Sequence, residues 1–375
     1  MSRAETVSRG ELYYDDPVTG LPVLFLWPHS GCNARCRMFD IWTDRDRREI
    51  DAADVDRWAQ EWADFGVRFV ILTGGEALMH SRLWEICAAL HRRGITITLL
   101  STGITLARHA AEVVRWFNGI TVSLDGPGEV HDSIRRVPRA HIFLERGIAA
   151  TRAIDPEFRI FSRCAVHRHN YLLLRETVRY AKSIGLNRVS FLATDVGSEA
   201  FNRPGGWPAD RQAGLLVPAD GLDALAEEVE LLIAEHAADF ATGFINESPE
   251  ALRARIVGYY RASYGAGDLP PVSCNAPWGS ALVEPDGTVR PCFFQPAYGN
   301  LHEAGSLAAV INSPSAVAFR RNLDLATDPI CSRCVCTFEV KRCVCGSSKA
   351  GATCDSTCVL VDLLATISDH PGTRS

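Results

Sequence analysis

The sequence predicts an α/β protein with a parallel sheet, followed by a smaller cysteine-rich domain that carries a β-hairpin. Three observations lead there. From residue 23 to about 195, short apolar runs alternate with amphipathic segments. Those runs are nearly continuous in apolar character, which marks strands covered on both faces by helices. Nine of the thirteen cysteines lie between Cys274 and Cys358, so the character of the chain changes there.

The elements follow in order. The strand runs are "VLFLW" (23–27), "FVILT" (69–73), "ITITLL" (95–100), "GITVSLD" (119–125), "FRIFSRCAV" (158–166) and "RVSFLAT" (188–194). Helical segments separate them. In "DAADVDRWAQEWADF", Val55, Trp58, Trp62 and Phe65 recur at helical spacing, and Asp51 is placed to cap the start. Six such units suit a doubly wound sheet or a partial barrel. In both, ligands gather at the C-terminal ends of the strands. From about 197 the chain turns loop-like ("NRPGGWPAD"), with helical segments near 219–239 and 249–262, and "GAGDLPP" reads as a linker. The hairpin is "SALVEPDGTVRPC", with Asp286-Gly287 as the tight-turn pair. The expected divisions are an N-terminal extension (1–20), the β/α unit (21–200), a helical insert (201–270) and the cysteine-rich domain (271–375).

Composition narrows the function. A formal charge of −6 argues against a nucleic-acid partner. The "RDRR" cluster, Arg45 to Arg48, reads as a solvated helix start. The N-terminus lacks an apolar signal segment, and no run is long enough for a membrane helix, so the expected location is cytoplasmic, with no membrane partner. In a reducing compartment, dense cysteines point to metal or cluster ligation rather than disulfides. Cys87 and Cys164 sit in apolar surroundings and read as core residues. His29, His131, His167 and His169 have no ligand-like spacing and read as ordinary polar residues.

The strand-end rule gathers four motifs on one rim. "SGCNARCRMFDIW" follows the first strand, "TGGEALMH" the second, "STG" the third and "SLDG" the fourth. Cys32 and Cys36 are spaced for an iron–sulfur cube. Three thiolates on a cube leave one iron open to a chelating ligand, which a four-cysteine site cannot do. This combination resembles the radical S-adenosylmethionine (radical SAM) superfamily over roughly residues 20–200. The resemblance implies a partial (β/α)6 TIM-like barrel. It implies an open iron that binds the amino and carboxylate groups of S-adenosylmethionine, and a 5′-deoxyadenosyl radical that abstracts substrate hydrogen. It implies a [4Fe-4S] cluster and an external one-electron donor such as flavodoxin or ferredoxin. Carried over residue by residue, Cys32 and Cys36 are cluster ligands. Gly74, Gly75 and Glu76 meet the methionine amino group, the glycines by close approach and Glu76 by a charge-assisted bond. Ser123 contacts the ribose or carboxylate, Thr102 and Asp125 line the rim, and Arg163 is a candidate for the carboxylate. Ser101 and Thr102 equally suit a cap for the next helix, and Asp125-Gly126 suits a turn.

One position departs from the pattern. Phe39 stands where the third cysteine belongs, and a phenyl ring cannot ligate iron. Three readings follow, in order of preference: a substitution in an otherwise intact radical enzyme, a natural pseudoenzyme, or an oxygen ligand supplied by Asp40. With two thiolates the first cluster is expected to be labile or absent.

The cysteine-rich end resembles the SPASM auxiliary-cluster domain or its shorter relative, twitch. Cys274 and Cys292 bracket the hairpin, and Cys331 and Cys334 form the next element. The longer domain expects a cysteine six positions after Cys334, where Val340 stands. Cys336, Cys343, Cys345, Cys354 and Cys358 remain as candidate ligands of a second auxiliary [4Fe-4S] cluster. Structural zinc is the competing reading of these spacings. As implied by the resemblance, an auxiliary cluster accepts the electron when a substrate radical is oxidised. That chemistry suits small molecules, such as sugars and aminocyclitols of natural-product pathways, or crosslinking of a ribosomally made peptide. Only 31 residues precede Cys32, so a small-molecule substrate is expected over a peptide. Dehydrogenation, epimerisation and dehydration stay open, and no catalytic acid or base is named. A non-catalytic iron–sulfur or electron-transfer module is the alternative that Phe39 favours.

Overall fold

The structure, a computed structural model, describes residues 14–336, 338–342 and 359–361. Six strands come first: β1 (Val23–Leu26), β2 (Phe69–Leu72), β3 (Thr96–Ser101), β4 (Ile120–Ser123), β5 (Ile160–Val166) and β6 (Arg188–Ala193). Each lies inside, or within two residues of, the apolar run that predicts it. They pair in parallel and in unbroken sequential order. A doubly wound sheet reverses its strand order at a switch point. No reversal occurs here, so the chain takes the barrel alternative.

The strands earn burial on both faces. Leu24, Leu26, Val70 and Leu72 pack outward in the large core beneath the helices. Val23, Phe25 and Ile71 point the other way, into a second core with Leu282, Phe338 and Val340. Each fully buried aliphatic side chain contributes about 1.5–3 kcal/mol. The first covering helix runs Ala52–Asp64, and the Asp51 side chain accepts from Ala53 N–H at its start. Trp62, fully buried, anchors it. Arg45 to Arg48 lie in the exposed loop before that helix rather than in its first turn, because Asp51 sets the start. Cys87 and Cys164 are buried in the main core.

Between β6 and the hairpin the chain forms a helix at Leu222–Glu235, then a continuous helical stretch broken by a π-helical turn at Arg253–Gly258. Tyr260 ties this insert to the barrel: its hydroxyl donates to Val166 O (2.5 Å) and accepts from Thr194 N–H (3.1 Å).

The hairpin is β7 (Ser280–Val283) and β8 (Thr288–Arg290), turned at Gly287 with φ 81°. It is not a detached element. β7 pairs in parallel with β1, and β8 with the short β9 (Gly299–Asn300), so one nine-stranded sheet runs β6-β5-β4-β3-β2-β1-β7-β8-β9. A separate pair joins β10 (Val340–Arg342) and β11 (Val359–Val361). Val340 is a buried strand residue whose N–H and C=O both bond Asn275, so this position serves packing. Cys343, Cys345, Cys354 and Cys358 lie outside the described residues. Among the described residues, no helix is long and apolar enough to cross a membrane.

Candidate active site

The C-terminal strand ends surround a cavity of about 300 Å³. Its wall includes Cys32, Cys36, Gly74, Gly75, Thr102, Ser123 and Arg163 from the barrel. The opposite wall carries Cys274, Cys292, Cys331, Cys334 and Cys336. Both sets of thiols therefore open into one space, and every described cysteine is a free thiol.

The loop after β1 is held by its neighbours. Glu76 N–H donates to Gly31 O (3.0 Å), and Thr102 Oγ1 lies 2.9 Å from Asn33 Oδ1. The two glycines of the second motif are required by this packing. Gly74 has φ +104°, and a Cβ there would fall 1.7 Å from the Trp27 ring. A Cβ on Gly75 would fall 2.0 Å from Gly31 O. Their lack of a side chain lets the chain's own first loop approach, and leaves their backbone on the cavity wall.

Glu76 and Asp125 have other work than the sequence suggests. Glu76 is fully buried and does not line the cavity. Its carboxylate accepts from Thr102 N–H (2.7 Å) and Leu78 N–H (3.2 Å), and from the hydroxyls of Ser101 (3.0 Å) and Thr102 (2.6 Å). These bonds brace β3 against the second motif. Ser101 and Thr102 are thereby partners of Glu76 rather than caps of the next helix. Asp125 is also fully buried and off the rim. It accepts from Ala165 N–H (3.0 Å) and pairs with Arg135 Nε at 2.6 Å. Arg135 does reach the cavity, where its Nη1 donates to Cys36 Sγ at 3.4 Å. Asp125 thus acts on the site through Arg135.

Burial pushes the Cys32 thiol up to about 12, and it raises Cys36 while Arg135 pulls the latter back. On the opposite wall burial lifts Cys292 and Cys336 to about 11 and Cys331 to about 12. These groups are neutral thiols at pH 7, so ligation there proceeds with release of protons. The Cys331 turn is pre-shaped: Asp328 Oδ1 accepts from Cys331 N–H (2.7 Å), Ile330 N–H (3.0 Å) and Gln295 Nε2 (3.0 Å). Gln295 Nε2 also lies 3.2 Å from Cys331 Sγ.

Phe39 completes the picture at the mouth. Its ring lines the cavity and lies 4.8 Å from Phe201, which stacks on Phe293 and meets Phe294 edge-on. The third-ligand position therefore belongs to an aromatic wall between the two thiol sets. Asp40 is turned away from it. Its carboxylate accepts from Trp207 Nε1 (2.6 Å) and pairs with Arg211, and it does not line the cavity. The reading of Asp40 as an iron ligand is corrected accordingly.

Residues 28–194 match the family described as the radical SAM superfamily, and residues 274–335 match the iron–sulfur cluster-binding domain SPASM. The chain carries a radical SAM domain and a SPASM domain. Among similar proteins is the PqqA peptide cyclase of Ruegeria pomeroyi, 27% identical over 65% of this chain and 60% of that relative. Another is the AdoMet-dependent heme synthase of Methanosarcina barkeri, 28% identical over 45% of this chain and 49% of its own. The radical SAM chain thus spans about half to three-fifths of these relatives' lengths. The structure of Streptococcus suis SuiB bound to S-adenosylmethionine superposes with a TM-score of 0.57 at 14% identity, covering 84% of this chain and 72% of that one. Native anSMEcpe with bound AdoMet gives 0.57 at 16%, covering 82% and 84%. At such identities the likeness shows the shared fold.

Radical SAM and SPASM domains imply S-adenosylmethionine and [4Fe-4S] clusters as cofactors. The two walls fit them unequally. Five thiols flank the cavity on the SPASM side. Among the described residues, no three His, Cys, Asp or Glu side chains converge on a single ion. The SPASM match makes an iron–sulfur cluster, rather than structural zinc, the group these thiols would hold. On the barrel side two thiols and a phenyl ring face the same space, one ligand short of a three-thiolate site. Arg135, Asn33, Gln295 and Asp328 are absent from the sequence-derived site. Asp328 alone carried a local signal, an Asp three residues before Cys331 in a turn. The other three are brought in by tertiary contact.

Proposed function

We propose that this radical SAM scaffold serves hydrogen abstraction from a peptide substrate, and that the chain as written carries a first cluster site in need of its third thiolate. The observation that carries the proposal is the shared cavity and its wall. Between the two thiol sets stand Phe39, Phe201, Phe293 and Phe294. An aromatic wall accommodates an amino-acid side chain. The names of similar proteins favour the same reading: a PqqA peptide cyclase, SuiB bound to precursor peptide SuiA, and anSMEcpe bound to a Cp18Cys peptide. The peptide alternative is therefore preferred over the small-molecule expectation.

In this reading the residues divide their work. The backbones of Gly74 and Gly75, with Ser123 and Thr102, line the seat of S-adenosylmethionine. Arg135 holds Cys36, and Asp125 holds Arg135. Cys274, Cys292, Cys331, Cys334 and Cys336 supply thiolates for an auxiliary cluster, whose chemistry when bound is one-electron transfer. The aromatic wall excludes water from the space between.

The test uses the Phe39→Cys variant, reconstituted anaerobically with iron and sulfide and reduced in the presence of S-adenosylmethionine. Cells grown on deuterated medium provide two pools, proteolytic peptides and small metabolites. Deuterium is expected in 5′-deoxyadenosine only with the peptide pool. Transfer from the metabolite pool alone would overturn the peptide reading.

A further inference from the structure

A second cavity, of about 350 Å³, adjoins the first. Arg163, Leu192 and Cys336 belong to the walls of both, so the two spaces meet there. Strand register explains the junction. Ser123 of β4, Arg163 of β5 and Ser190 of β6 are neighbours in register. Residues in register on adjacent strands share a face of the sheet. Ser123 faces the first cavity, Arg163 both, and Ser190 the second. Ser190 Oγ then donates to Glu247 Oε1 (2.8 Å), and Phe191 N–H to Glu247 Oε2 (2.9 Å). A row of polar groups therefore runs from the aromatic cavity into its neighbour.

Three features identify what the second space takes. Charges on its wall balance, with Arg163 and Arg255 against Glu247 and Glu339, so neither a polyanion nor a polycation is favoured. Arg163 Nε is buried without a hydrogen-bond partner among the described residues. Glu247 Oε1 also accepts from Asn246 Nδ2 (3.4 Å), while Oε2, which accepts from Phe191 N–H, keeps acceptor capacity. The wall at Arg255 and Ile256 comes from the π-helical turn, a rare conformation concentrated at functional sites. A neutral ligand that offers both donors and acceptors in alternation is a peptide backbone.

We infer that the second cavity is a subsite for the backbone flanking the reacting residue of a peptide substrate. Arg163 donates to a peptide carbonyl and Glu247 accepts from a peptide N–H, while the adjoining side chain enters the aromatic cavity. This inference rests on the peptide reading above, and its test separates the two.

The probe is a library of capped pentapeptides with a fixed central Tyr and randomised flanks, incubated with the reconstituted chain and analysed by size exclusion and mass spectrometry. Binding of N-acetyl-tyrosinamide, followed by NMR, reports on the aromatic cavity alone. Wild type is expected to retain a defined subset of pentapeptides. Ala251→Phe, which fills the second cavity, and Glu247→Gln, which keeps its shape, are each expected to lose that subset by tenfold or more. Both are expected to bind N-acetyl-tyrosinamide as wild type does, which also shows that they are folded. Retention of the same subset by both variants overturns the subsite and leaves the peptide reading standing. Retention of no pentapeptide by wild type overturns both.

Discussion

Phe39 is held by packing that a thiol would not need, its ring against Phe201 on a loop that Asp40 also pins through Trp207 and Arg211. The loop's path is therefore set by residues other than the one at position 39. Phe39→Cys is expected to raise bound iron by about four per chain after anaerobic reconstitution, and to start reductive cleavage of S-adenosylmethionine. A variant with unchanged iron content would remove the basis for reading this loop as a cube site. Arg135 is the second residue of consequence, because among the described residues it alone pairs with the fully buried Asp125 carboxylate. Arg135→Met strands that carboxylate and is expected to cost about 3–5 kcal/mol in urea unfolding. Asp132 illustrates a milder case at the surface. Burial alone would raise its carboxyl, but the N–H groups of His141 and Arg139 and the His141 ring hold it below the usual range. A depressed folded value adds stability above the unfolded value of about 4, and that stability is lost as pH falls through the folded value. The melting-temperature gap between wild type and Asp132→Asn should accordingly be full above pH ~4 and close below it. A gap that does not narrow at all as pH falls below ~4 would contradict this account.

At the scale of elements, the barrel-side site is assembled by strand ends that touch each other before they touch any ligand. The Gly74-Gly75-Glu76 segment joins three of them: its backbone abuts the β1 loop, and its carboxylate takes the donors of the β3 loop. A methyl group on Gly75 has no room, since backbone at Gly31 does not swing aside like a side-chain tip. Gly75→Ala is expected to cost about 1–3 kcal/mol as an overpacking change. It should also displace Cys32 and lower iron uptake in the Phe39→Cys background. Normal stability with normal uptake would mean that this contact is dispensable. The hairpin shows a different division. Asp286-Gly287 announced its turn, and Gly287 does adopt positive φ. Its partner strand was not announced, because parallel pairing between β7 and β1 joins residues some 250 positions apart and leaves no local pattern.

For the molecule as a whole, that pairing makes the barrel and the cysteine-rich end one sheet. A chain ended after residue 270 would leave β1 with an unpaired edge of four apolar residues, Val23–Leu26. Such edges recruit other chains. The shortened protein is expected to aggregate during gel filtration, whereas a monodisperse product would show that the two parts fold apart. Continuity of the sheet also explains why both sets of thiols reach one cavity, since β7 and β8 carry Cys274 and Cys292 to the side of β1. The sequence by itself determined the six strands, their helical cover, the hairpin turn and the motifs at the strand ends. Those features follow from local periodicity, turn chemistry and ligand spacing, which are written within a few residues of one another. Only the tertiary structure decided that Glu76 and Asp125 are buried braces, that Arg135 holds Cys36, and that a second polar cavity opens beside Arg163. Each of these depends on side chains from distant segments meeting in a dry interior, where a charge must find its partner wherever the fold brings one.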